Sequence, residues 1–89
     1  MSYVINFNNG AGPQEPEFET LAEAKDAALD MAGFTQTSIE ILGNNDEIVT
    51  TAAWFGVAPT EEEIESGLVL VRFGTNGYYQ LWSDELENL

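Results

Sequence analysis

The mostly apolar run Tyr3-Val4-Ile5-Asn6-Phe7 reads as an opening strand, and Asn8-Asn9-Gly10-Ala11-Gly12-Pro13 ends it with residues that favour turns. A loop is expected from there to the first helix. Thr20-Leu21-Ala22-Glu23 has the spacing of a capping box, in which hydroxyl and carboxylate each satisfy a backbone N–H of the opening turn. Leu21, Ala24, Ala28, Met31 and Ala32 then recur at helical spacing on one face, with Gly33 placed to supply a left-handed cap. Ser38-Ile39-Glu40-Ile41-Leu42 then alternates as a strand should. The cluster Gly43-Asn44-Asn45-Asp46 turns it into a second run from Ile48 to about Val57, so the two read as a hairpin. Thr60 before Glu61-Glu62-Glu63 is another capping box, predicting a short helix that Gly67 stops. Leu68–Phe73 and Tyr78–Trp82 are the last strands, joined through Gly74-Thr75-Asn76-Gly77.

The order β-α-β-β-short α-β-β lacks the regular alternation of a parallel fold. It predicts an α+β domain spanning 1–89: a mainly antiparallel sheet of about five strands with one main helix on one face. Neighbouring strand residues point to opposite faces, so Trp54-Phe55 and Tyr78-Tyr79 each place a ring on both sides. One helix cannot cover both.

Composition narrows the chemistry. The 89 residues are 44% apolar, with two Trp, three Tyr and five Phe, enough for one core. There is no Cys and no His. Imidazole bases, thiol nucleophiles and thiolate metal sites are thereby excluded, and the reading is of a non-enzyme with no cofactor and no metal. A carboxylate pair for glycoside hydrolysis needs an acid of raised pKa within a cleft. Here the acids fall in expected loops and helix starts, and Lys25 reads as a solvated helix residue. Asn44-Asn45-Asp46-Glu47 lacks the ligand spacing of a calcium loop, and Asn9-Gly10-Ala11-Gly12-Pro13 is a lone G-x-G. The N-terminus has neither the basic region nor the apolar run of a leader or anchor, and the expected location is cytoplasmic.

Charge is the extreme feature. Sixteen Asp and Glu face only Lys25 and Arg72, a formal net charge of −14 at pH 7. That field repels nucleic acid and anionic membranes, so direct binding to either is not expected, and a protein partner should be basic. Two candidate surfaces follow. The acidic one consists of Glu15, Glu17 and Glu19, alternating in a stretch that Pro13 and Pro16 keep extended, with Glu61, Glu62, Glu63 and Glu65; a third cluster, Asp84, Glu85 and Glu87, lies near the C-terminus. The same acids also serve helix starts and solubility. The aromatic surface places Trp54, Arg72, Tyr78 and Trp82 on the sheet face opposite the helix, where Arg72 either contributes to binding or is held by the rings.

Thr20-Leu21-Ala22-Glu23-Ala24, Thr35-Gln36 before the Ile39/Ile41 strand, Trp54-Phe55-Gly56-Val57 before an acidic stretch, and Gly77-Tyr78-Tyr79 together resemble small acidic proteins of Gram-positive bacteria and their phages. The resemblance brings no functional residue with it. It implies a bacterial or phage origin, where small acidic inhibitors of defence and nucleic-acid enzymes occur. The expected function is a protein-binding module, in its sharpest form an antagonist or regulator of a basic nucleic-acid-binding protein. The alternative is a homodimer or assembly subunit using the aromatic face, with a carboxylate enzyme a distant third. Adaptation to high salt would also account for the acids.

Overall fold

A computed structural model describes residues 2–7 and 12–88, and for 12–16 the backbone alone. The predicted turn at Asn8–Ala11, and with it most of the G-x-G segment, lies outside the described residues. The described residues form seven strands and three α-helices: β1 (Tyr3–Phe7), β2 (Gly12–Phe18), α1 (Leu21–Thr35), β3 (Ile39–Leu42), β4 (Ile48–Ala52), β5 (Trp54–Phe55), α2 (Glu61–Glu65), β6 (Val69–Arg72), β7 (Tyr78–Gln80) and α3 (Ser83–Leu86). It is an α+β fold with two antiparallel sheets, β2-β1-β3-β4 and β5-β7-β6.

The core face of the larger sheet follows from strand parity. Phe7 lies opposite Ile39 and Ile39 opposite Ala52, while Ile5 lies opposite Ile41 and Ile41 opposite Thr50. These rows point to one face and are buried. Ala24, Ala28 and Ala32, one helical turn apart, press α1 against them with no exposed area, and their small side chains permit the close approach. The other face is mixed: Val4 lies opposite Leu42, and Asn6 Nδ2 donates to Glu40 Oε1 at 2.8 Å.

The loop expected before α1 is instead a strand, β2, paired along β1 at the sheet edge. Its prolines are tolerated there because an edge strand has one unpaired side. Thr20 caps α1 by accepting from the Glu23 N–H. The helix passes through Gly33 to Thr35, and Gln36 takes the left-handed conformation (φ 47°) expected of the glycine. Gly33 instead faces Phe73, whose Cε1 would lie 3.4 Å from an added Cβ. The run from Ile48 breaks at Ala53 and moves from one sheet to the other, with the Ala53 carbonyl accepting from the Gln80 N–H at 2.8 Å. The Asn44–Asp46 turn is a single 3₁₀ turn in which Asn45 and Asp46 both have positive φ, a conformation these two side chains tolerate, so backbone geometry accounts for their presence.

Candidate functional site

The aromatic residues do not form an open face. Tyr79 and Trp82 both enter the core. Trp54 packs against Tyr79 at 4.8 Å between ring centres and against Phe73 at 5.9 Å. The expected surface of Trp54, Tyr78 and Trp82 is therefore corrected: Trp82 is 2% exposed and Tyr78 5%. Strand parity does not reach Trp82, because β7 ends at Gln80 and the chain turns into α3, which rotates the indole inward. Parity holds within the strands. Phe55 and Tyr78, partners across β5 and β7, stack at 5.2 Å on the face away from Trp54 and Tyr79. Arg72, opposite Tyr78 in β6, is exposed and makes no salt bridge among the described residues.

Of the predicted acidic residues, Glu17, Glu19, Glu61, Glu62 and Glu65 are exposed, and the side chain of Glu15 lies outside the described residues. Glu63 is committed internally. Its Oε1 accepts from the Thr60 N–H and hydroxyl, completing the predicted capping box, and its Oε2 accepts from the Tyr78 hydroxyl. These bonds, Tyr78's first, hold the Glu63 carboxyl below the usual carboxylate range. The same bond, aided by burial and the Glu63 charge, pushes the Tyr78 phenol up to about 12. Glu63 thus fastens α2 to the smaller sheet and is unavailable to a partner. Its neighbours in α2 occupy the first turn of a five-residue helix, where the helix dipole already favours acids.

Lys25 is not the solvated residue expected. Its ammonium donates to Asp84 Oδ2 at 2.9 Å and to Glu85 Oε2 at 3.3 Å, and lies 5.8 Å from the centre of the Trp82 ring. Burial works against the Asp84 charge, but hydrogen bonds from Lys25 and Thr50 and the Lys25 charge outweigh it, so its carboxyl titrates below the ordinary range. Asp84 Oδ1 accepts from the buried Thr50 hydroxyl at 2.5 Å. One of the two cations is therefore neutralised inside the fold.

A further row of acids stands on α1, outside the clusters expected from sequence; of its members Glu23 also accepts from the Thr20 hydroxyl at 3.0 Å. Glu23, Asp26 and Asp30 are all exposed on α1. With 3.6 residues per turn they share an arc of roughly 60°, nearly opposite the Ala24/Ala28/Ala32 stripe. Phe34, one turn beyond Asp30, continues the row and is 92% exposed. The row runs about 16 Å along the helix at a rise of about 1.5 Å per residue. The signal that marks it is spacing: acids at i, i+3 and i+7, out of phase with the alanines.

Beside this row is a groove of about 490 Å³ lined by Leu21, Ala22, Lys25, Asp26, Leu29, Leu70, Trp82 and Glu85. Among the described residues no group of three or more acidic side chains is arranged to hold a metal ion, and no helix is long and apolar enough to cross a membrane. The chain matches no family model, no curated protein and no solved structure.

Proposed function

We propose that the protein is an acidic protein-binding module whose partner presents a basic surface. The outer face of α1 carries this reading: Glu23, Asp26 and Asp30 stand in line with the exposed ring of Phe34 on a fifteen-residue helix anchored by its opposite face. A carboxylate row steers a basic partner and fixes its register, and an aromatic side chain within such a row supplies apolar contact. With Lys25 paired internally, the field outside the molecule is almost wholly negative.

In its sharpest form, the module antagonises or regulates a nucleic-acid-binding protein by occupying its basic groove. The row's axial steps of about 4.5 and 6 Å are on the scale of the ~3.4 Å rise between phosphates of one DNA strand, though sparser. The test is capture of partners by the tagged protein from bacterial lysate, washed in parallel at ~0.1 M and ~1 M salt, where the screening length falls from ~10 Å to ~3 Å. Basic proteins held at low salt and released at high salt support the reading. Partners that are acidic, or that resist the high-salt wash, remove it.

A further inference from the structure

The groove beside the acidic row has an apolar floor and a charged margin. Leu21 and Leu29 of α1, Leu70 of β6 and Trp82 form the floor. Lys25 stands within it, but Asp84 and Glu85 answer its charge. The exposed acids Asp26 and Glu85 line the margin. Around the circumference of α1 the order is the alanine stripe, which includes Leu21, then Lys25 and Leu29, then Ala22 and Asp26, and then the rest of the row. Asp26 belongs to groove and row alike, so the two form one continuous surface.

An apolar pocket with an acidic margin selects for two properties together. A purely basic segment leaves the floor wet, and a purely apolar one gains nothing from the margin. Interfaces whose central pocket takes one large side chain while polar groups around it exclude water have this form. We propose that the groove receives a large aliphatic or aromatic side chain from a basic segment of the partner, while Asp26, Glu23 and Asp30 pair with lysines or arginines flanking that side chain. The inference rests on the reading of α1 as the partner-binding face and specifies what the partner presents to it. A second copy of this chain is a poor occupant, because its net charge of −14 would set two acidic margins against each other.

The test uses two lysine-rich peptides that differ only at one central position, leucine in one and alanine in the other. Binding to the full chain is followed by fluorescence anisotropy of labelled peptides at ~0.1 M salt, within the range where exposed charges still act over ~10 Å. Burying one leucine should make the leucine peptide bind about ten-fold tighter or more. The nuclear magnetic resonance signal of the Trp82 indole N–H should shift with that peptide. Ala22 is exposed at the groove's edge, so Ala22→Trp fills the mouth without removing a core residue. This variant should abolish the leucine advantage, so that the two peptides bind alike. Equal affinity for the two peptides, or a leucine advantage that survives Ala22→Trp, overturns the groove assignment while the charge reading stands. Failure of both peptides to bind overturns both. Self-association of the protein that Ala22→Trp prevents would assign the groove to a second copy instead.

Discussion

Lys25 and Asp84, 59 positions apart, meet at 2.9 Å, and the carboxylate that receives the ammonium also accepts from Thr50 inside the core. The contact ties α1, α3 and β4 together, and it withdraws one of the protein's two cations from its surface. Asp84→Asn should cost about 1 kcal/mol at neutral pH, a charged hydrogen-bond contribution discounted for partial exposure. Because the folded carboxyl titrates below its ordinary value, the contribution is complete above the unfolded aspartate value of ~3.9 and is lost as the pH falls through the folded one. Acid also relieves self-repulsion among the other carboxylates, which works the opposite way. The measurement is therefore the difference between parent and Asp84→Asn in urea unfolding. That difference should shrink as the pH is lowered, and one that stays constant would remove the pair from the account.

Tyr78 and Glu63 make a second prediction, at the alkaline end. Titration followed by tyrosine absorbance should show one phenol ionising near pH 12. In Glu63→Gln, that group should ionise at lower pH. A folded-state value raised above the unfolded one means that this bond's stabilisation is present below ~10 and is lost as the pH rises toward about 12.

Gly77 adjoins the ring of Trp54, and a Cβ there would lie 2.5 Å from Cζ2 and 2.7 Å from Cη2. Gly77→Ala should destabilise by about 2–5 kcal/mol, the cost of overpacking a filled site added to that of a side chain at its φ of 154°. Gly74 in the same turn has open space around its Cβ position, so Gly74→Ala meets only the backbone cost of its φ of 59°, about 1–2 kcal/mol. Both glycines have positive φ, so the steric clash is the added burden at Gly77; thermal melts should show the larger loss in Gly77→Ala, and equal losses would contradict the described packing of Trp54.

Tyr79 closes the segment after α1. Its hydroxyl donates to the Thr37 carbonyl at 2.8 Å and accepts from the Thr37 N–H at 3.1 Å. Tyr79→Phe keeps the ring but strands those backbone groups, and should cost about 1–3 kcal/mol in denaturant unfolding. A loss below a few tenths would mean that the hydroxyl is dispensable.

The elements that could be read from sequence are those whose signals are local. Thr20 and Thr60 with glutamates three residues on mark the starts of α1 and α2, the alanine spacing marks the buried face of α1, and Asn76-Gly77 marks the β6–β7 turn. β2 was hidden because Pro13 and Pro16 argue against a strand unless it is known to lie at an edge, which only the assembled sheet reveals. The break at Ala53 carries no turn residue. α3 has four residues and no side-chain cap at Trp82, so no local signal marks it, and strand parity does not govern the indole that precedes it. The pairing of Lys25 is a long-range contact beyond the reach of local pattern. The row on α1 was legible in principle, but acids on an exposed helix face look like ordinary solvation until the opposite face is known to be buried.

The most direct measurement compares two triple variants of equal net charge in capture of a partner at low salt. One neutralises the α1 row, Glu23→Gln with Asp26→Asn and Asp30→Asn. The other neutralises exposed acids of α2, Glu61→Gln with Glu62→Gln and Glu65→Gln. The account predicts that the first loses the basic partner and the second retains it. Equal loss in both would reduce the effect to bulk charge, and loss confined to the second would move the binding surface to α2; either result contradicts the assignment of function to α1.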